Sequence, residues 1–570
     1  MKSRIQTWTG RAAACAMLVL CTSGALQAEQ PSTDDAVIRG MRDELARARD
    51  RLQLPDAGKP YYLALLLNDQ KTVYVQASFG ALITKGENKS RFMRADVRVG
   101  DYTVDSSNMS RRSGALERLP LDDDYDVVRH DTWHAFDDAY KQAAAAYARK
   151  LAMRESLAQN PDEVADFSRE TLSNIVVKRE LPNIQVERAA LLVKELSALA
   201  KKFPTIQSSE VRLFGASGRQ VVMSSEGTFA SENDAIVALG VLLRTQAPDG
   251  MPLTRFDTYT GFSLEALPAQ AEIAQNIERV ASELTALRDA EQAQDYTGPV
   301  LFEGVAAGQL LGYVLAPQFS GTPAPKPEKM RGGGAETELA GKLGQRVLPA
   351  GFSVVDDPTI DSLDSRPMFG RSAVDDEGMP AIRVALVQDG LLQDFLMSRA
   401  PRKGFAHSNG HAHGAMSGTI RAGFGNLIVT SSKGVSSADL YKKLLSEAKA
   451  AGQPYALIVR QLDDPMVTGD FSAMMRRGSS NVPPPAVLVK LTPDGKEQPL
   501  RGASFGTLPL AAFEDIVVAG QDCSIAHRML GYATSIASPS LLFKRVELRK
   551  PVEQQRKLPA LPHPFFEAKR

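Results

Sequence analysis

From Ser32 to Leu54 the apolar positions Val37, Met41 and Leu45 recur at helical spacing among Arg and Asp residues, which predicts an amphipathic helix. Three runs rich in β-branched and aromatic residues follow, Tyr61 to Leu67, Thr72 to Phe79 and Phe92 to Val99, and the polar stretches between them predict turns. A long Ala-rich helix is predicted over His134 to Gln159, a second over Arg188 to Lys202, and strands over Glu210 to Phe214 and Gln220 to Ser224. Pro268 opens a further helix reaching Ala290, with Ile273, Ile277, Val280, Leu284 and Leu287 on the face expected to lie on a sheet. The pattern changes at Gly298-Pro299. Beyond it short apolar strands dominate, broken by Gly- and Pro-rich loops such as Thr322 to Gly334. Asp389-Gly390 joins Arg383 to Val387 with Leu392 to Met397, and Asp494-Gly495 follows Val487 to Leu491, both with hairpin turn chemistry. One helix interrupts the strands at Ala438 to Ala451, with Ser437 as its predicted N-cap. The fold class is therefore α+β: an N-terminal α/β domain and a C-terminal antiparallel β-barrel-like domain, with an open sandwich as the alternative for the second.

Composition adds little to this picture and excludes some functions. The 67 basic and 67 acidic side chains balance, so nothing marks a nucleic-acid binder, whose phosphate contacts need an excess of Lys and Arg. Lys2, Arg4 and Arg11, the apolar run Ala12 to Leu20 and the small-residue stretch Thr22 to Ala28 have the layout of a secretory signal peptide. Cleavage is expected after Ala28 or Ala25, giving an exported chain, periplasmic or secreted, with no transmembrane segment. A lipid anchor on Cys21 is disfavoured by Leu20 before it. Cys15 and Cys21 leave with the signal, so Cys523 remains alone and no disulfide within the chain can form. The expected divisions are a signal at 1–28, an α/β domain at 29–297, a β-rich domain at 298–550 and a tail at 551–570.

Candidate chemistry gathers in a few places. His407, His411 and His413 fall within seven residues, and neutral imidazoles suit Zn²⁺ or Cu²⁺. Asn409-Gly410 breaks any helix that would align them, so a mobile Gly, Ser and His loop is the plainer expectation. Asp375-Asp376-Glu377-Gly378 offers carboxylates for Ca²⁺ but reads more simply as a solvated turn. Cys523, beside Asp522 and near His527, reads as a buried thiol rather than a nucleophile. Gly332-Gly333-Gly334 lacks the rest of a phosphate loop, and neither Gly-x-Ser-x-Gly nor His-Glu-x-x-His occurs.

Several stretches, in order along the chain, resemble the TldD/PmbA family of peptidase-related proteins. They are Gly298-Pro299-Val300-Leu301-Phe302, Leu310-Leu311, Val354-Val355-Asp356-Asp357-Pro358-Thr359, Asp375 to Pro380 and the Asp389-Gly390 hairpin. Ala95 to Gly100, Ser224-Ser225-Glu226-Gly227 and Ser538-Pro539-Ser540-Leu541-Leu542 extend the likeness, which covers about residues 35 to 550. The resemblance implies a two-domain subunit pairing with a like subunit around a peptide-binding cavity. It also implies, for TldD-type subunits, zinc held by His-Glu-x-x-x-His after a short apolar run and by a later cysteine. Here Glu303, Gly304 and Gly308 stand at those positions in one register, and Gly312, Tyr313 and Pro317 in the other. Glycine and proline carry no ligand atom, and a phenol of pKa about 10 is a poor general base at neutral pH. The chain is therefore closer to the metal-free PmbA type: no cofactor is expected, and the protein by itself is expected to be non-catalytic or partner-dependent. Its expected partners are a peptide or unfolded segment and a like or metal-bearing family subunit. The candidate binding residues are Arg402, His407, Asn409, His411, His413, Asp376 and Glu377. An active metallopeptidase with zinc on His407, His411, His413 and Cys523 is one alternative, and a stand-alone binding or scaffold protein the other.

Overall fold

The computed structural model describes residues 35–55, 57–108, 114–155, 164–324, 337–414, 416, 419–469, 480–550, 557–561 and 563–566. The expected signal at 1–28, the glycine run at 332–334 and the start of the expected tail at 551–556 lie outside the described residues.

The chain enters through helix α1 (Ala36–Arg51), capped by Asp35, whose Oδ1 accepts from the N–H groups of Val37 and Ile38. A large sheet follows, built from β1 (Pro60–Ser78), β2 (Ala81–Val99), β3 (Ala115–Arg118), β4 (Asn174–Val177), β5 (Ser208–Ser224), β6 (Phe229–Gln246) and β7 (Pro252–Gly261). Its order is β3-β2-β1-β5-β6-β4, with β7 also beside β6. Helices α2 (Tyr125–Glu155), α3 (Val186–Ala198) and α4 (Gln270–Leu287) join α1 on one face.

Strand parity explains the layering. Leu63, Leu65 and Leu67 pack under α1 and α2, while Val73, Val75 and Ala77, on the same face of the same strand, pack under α3 and α4. The opposite face begins an apolar contact at Leu66 and Val222, and Val374 of the C-terminal half closes it.

Two expectations are corrected here. The polar runs predicted to break the strands, residues 68–71 and 215–219, are continuous strand in β1 and β5. They lie opposite each other, Asn68 against Gln220 and Gln70 against Gly218. The chain turn comes instead at Phe79-Gly80, where both residues have positive φ.

The C-terminal half begins with β8 (Glu291–Gln292), β9 (Tyr296–Phe302), α5 (Val305–Val314) and β10 (Phe352–Asp356), so the boundary expected at 297/298 falls within β9. Its strands are mostly antiparallel and form two two-stranded sheets and two large ones. In one, β9 lies between the parallel strand Ala456–Leu462 and the antiparallel strand Leu541–Arg549. The other places β10 between strands Val384–Gln388 and Asn426–Ser431, and continues through the hairpin Ser524–Leu530/Tyr532–Ser538. A single core takes Phe302, Val354, Ile536 and Phe543 from both sheets together with Leu310 and Leu311 of α5. Helix α6 (Ser437–Ala450) covers the outer face with Leu440, Leu444 and Ala448; its cap is Ser436, one residue earlier than predicted. Among the described residues no helix is long and apolar enough to cross a membrane.

Candidate functional site

Strand β9 is an apolar run with no exposed residue after Thr297, and it feeds α5 through Glu303-Gly304. Helix α5 lies on the hairpin Ser524–Leu530/Tyr532–Ser538 because small residues let it: a Cβ on Gly308 would come 2.9 Å from the Ala526 Cβ, and one on Gly312 would come 2.6 Å from Ile536 Cδ1. The positions tested for zinc ligands are all on this strand, turn and helix or just past it, with Pro317 in the 3₁₀ turn Ala316–Phe319. Glu303 is held by Tyr441, whose hydroxyl donates at 2.7 Å, and by Arg460 Nε at 2.5 Å. At the other end Arg528 donates from Nη1 to the Gly312 carbonyl at 2.5 Å and stacks on Tyr313, 4.3 Å from the ring centroid. Burial pushes the Tyr313 phenol up to about 12, despite the nearby Arg528 cation.

These residues do not fit a zinc ion. Gly312 has no room for a ligating side chain, and the guanidinium held beside it would repel a dication. Cys523 does not supply a ligand there either. Ser524 approaches Gly304 and Arg528 approaches Gly312, so Cys523 lies at the Gly304 end of the helix, away from Gly312, and at that end Gly304 and Gly308 bring no ligand atoms to join it. Its side chain is exposed, not buried as predicted, and its carbonyl accepts from Arg366. His527, the proposed companion, instead bonds through Nδ1 to Ser535 Oγ at 2.9 Å.

The three clustered histidines sit in three environments. His407 is 72% exposed, with Nδ1 3.3 Å from Glu170. His411 is fully buried, its Nδ1 facing the Asn409 carbonyl at 2.8 Å and its Nε2 facing Asp356 Oδ2 at 2.9 Å, so both ring nitrogens are engaged. His413 stacks on Tyr532 at 4.3 Å; burial pushes its ring down to about 4. Among the described residues its Nε2 and Asp356 Oδ1 are buried without a hydrogen-bond partner. Among the described residues no group of three or more His, Cys, Asp or Glu is arranged to hold a metal. The mobile-loop expectation fails as well, because Asn409 staples the segment to Met397 N and the Phe395 carbonyl. Arg402 packs over Phe395 at 4.2 Å and donates to the Ala340 carbonyl.

The acidic run is a buried joint between the two halves, not a solvated turn. Asp375 Oδ1 accepts from Glu377 N and Met379 N, and its Oδ2 from Ala412 N, all at 2.9 Å. Glu377 Oε2 accepts from Arg399 N at 2.7 Å, Asp376 Oδ1 accepts from Gln220 Nε2 at 3.0 Å, and the Gly378 carbonyl accepts from Ser173 Oγ. Burial holds the Asp375 carboxyl well above its ordinary range and raises that of Glu377, against the pull of Arg98 and Arg399. With these acceptors filled from within, no open cluster is left for Ca²⁺.

Sequence reasoning missed the cation at the centre of this joint. Arg399 is fully buried, pairs with Glu226 at 2.7 Å and donates to the Ser168 carbonyl at 2.6 Å. It stacks on Phe167 at 3.9 Å, and Arg98 stacks on the same ring at 3.7 Å. The stretches containing Arg98 and Glu226 were visible as family-like motifs. Nothing in the sequence marked Phe167 or Arg399.

Beside this joint a cleft of about 230 Å³ opens between the sheet and the C-terminal half. Asn68, Gln70, Gly218 and Gln220 belong to its sheet side, and Phe369, Arg371 and Val374 to the facing wall. The polar runs that looked like turns are part of this lining.

Residues 295–550 match the family model of the PmbA/TldA metallopeptidase C-terminal domain. A protein of Archaeoglobus fulgidus described as a metalloprotease is 37% identical over 76 residues, 13% of this chain and 16% of the relative, so the match spans about a sixth of the relative's length. TldE from Thermococcus kodakarensis has the same fold, with a TM-score of 0.56 at 15% identity over 90% of this chain and 100% of that one. A Thermotoga maritima protein named for a supposed role as modulator of a DNA gyrase gives 0.59 at 13% identity over 90% and 100%. The TldD/PmbA family match is carried by residues 295–550, the C-terminal domain, and the fold of the chain as a whole is like that of TldE.

Proposed function

We propose that this protein is an exported, metal-free member of the TldD/PmbA family that binds an extended peptide or unfolded segment and acts in proteolysis only with a metal-bearing family subunit. The observation that carries the reading is the Gly312-Tyr313 pair with Arg528 packed across it. In the register that puts Gly312, Tyr313 and Pro317 at the motif positions, a fixed cation beside Gly312 supports the reading that no zinc is held there, and in the other register Gly304 and Gly308 offer no ligand atom. The amino-terminal layout of charged, apolar and small residues supports export. The interdomain cleft supports peptide binding, and pairing with a like subunit follows from the family likeness.

The test is to assay casein-derived peptides with the purified chain alone, and then with a co-expressed family subunit carrying His-Glu-x-x-x-His. The reading expects no cleavage alone and cleavage in the complex. Chelator-sensitive cleavage by the isolated chain would refute it.

A further inference from the structure

The cleft beside the domain joint has an unusual charge balance. Its ionic groups are neutralised by neighbours: Arg371 pairs with Asp234 at 2.5 Å and stacks on Phe262 at 3.6 Å. Glu232 accepts from Arg179 at 2.5 Å and from Ala373 N at 2.9 Å. The Gln220 amide is committed to Asp376. What remains on the floor are the primary amides of Asn68 and Gln70, which have no hydrogen-bond partner among the described residues. Each amide offers both a donor and an acceptor, the same complement as a peptide group. Gly218 keeps β5 low between them, since a Cβ there would come 2.6 Å from Gln70 Cα.

The walls argue against other occupants. A charged side chain entering the cleft would lose water and meet no free counter-charge, a cost that a neutral one avoids. The Phe369 ring is packed edge-on against His527 and tilted against Phe262, so it does not present an open platform for a sugar ring. At about 230 Å³ the cleft is smaller than the roughly 300–1,000 Å³ of typical small-molecule pockets and suits a short stretch of chain.

We infer that this cleft is a subsite for an uncharged stretch of extended peptide, whose backbone groups are read by the side-chain amides of Asn68 and Gln70. The inference rests on the proposed peptide-binding function and deepens it, naming the side-chain class accepted at one position.

The test uses fluorescence polarisation with the full chain and a dye-labelled, end-capped heptapeptide of Val, Ser, Asn and Gly. Two analogues of equal length carry Lys or Glu at alternate positions. The neutral probe should bind about tenfold more tightly than either analogue, and Asn68→Ala/Gln70→Ala should weaken it by about tenfold with an unchanged melting temperature. Ala216→Trp, which fills the cleft, should abolish binding. Should that variant not fold, Gln70→Glu replaces it and should shift preference to the Lys analogue. Equal binding of all three probes, or indifference to the floor substitutions, overturns the subsite while leaving peptide binding intact. Displacement of the neutral probe by maltopentaose also overturns it. Failure of every peptide to bind removes the broader function as well.

Discussion

Replacing Arg399 with Met tests whether a buried cation joins the two halves. Methionine keeps most of the length and apolar stem while removing the charge and the donors. The change deletes both hydrogen bonds to Glu226, at 2.7 and 3.0 Å, the bond to the Ser168 carbonyl, and the stack on Phe167. Among the described residues Glu226 keeps only the Tyr102 hydroxyl as a side-chain hydrogen-bond partner, in a site where its side chain is 17% exposed. Removing one member of a buried pair costs about 3–5 kcal/mol, and access of water to Glu226 places this case near the lower figure. On the scale of about 2–4 °C per kcal/mol for a domain of 150–250 residues, calorimetry should show a melting shift of roughly 6–12 °C. Because the pair acts as a unit, Arg399→Met/Glu226→Gln should lose clearly less than the sum of the single changes. Burial by itself would raise the Glu226 carboxyl, but the bonds and charge of Arg399 with Tyr102 hold it below its ordinary range. Its contribution is therefore present above the unfolded carboxylate range and is lost as pH falls through the lowered folded value. Single-change effects that add within about 0.5 kcal/mol would refute the reasoning.

Gly312→Ala forces a methyl against Ile536 Cδ1 and the Arg528 side chain, and should lower stability to urea by about 1–3 kcal/mol without changing far-UV dichroism. His411→Leu leaves Asp356 buried with only the Gly425 N–H at its Oδ2, and should cost about 3 kcal/mol or more in the same urea titration. His413 and His527 are pushed down to about 4 by burial, so the folded state binds fewer protons than the unfolded state between pH about 6.5 and 4, and stability falls across that window. Asp375 and Glu377 shift upward and oppose this trend. The effect is therefore read as the difference between wild type and His413→Phe/His527→Phe, whose urea midpoint should fall less on acidification.

The helices were legible because their periodic apolar faces are long: the Ile273, Ile277, Val280 and Leu284 stripe lies on the sheet as its spacing predicts. The polar segments of β1 and β5 were misread for a physical reason. Strand patterning assumes that one face is apolar and the other meets solvent, whereas here the second face turns into a polar cleft and domain joint. The acidic run was misread similarly, since burial of Asp375 depends on N–H groups from Ala412 and Met379 that only the fold brings near. That Gly312 and Pro317 carry no side-chain ligand atom could be read directly from the chain. The guanidinium packed on Gly312 could not, because Arg528 lies 216 residues away on the hairpin beneath α5.

The most direct test of the central claim is the zinc content of the chain produced without residues 1–28, measured by elemental analysis after dialysis against metal-free buffer. The account predicts less than about a tenth of a zinc per chain, since a structural or catalytic site would keep its ion through that step. A content near one zinc per chain, reduced when His411 and His413 are changed to Ala, would contradict it and locate a metal centre on the histidine segment.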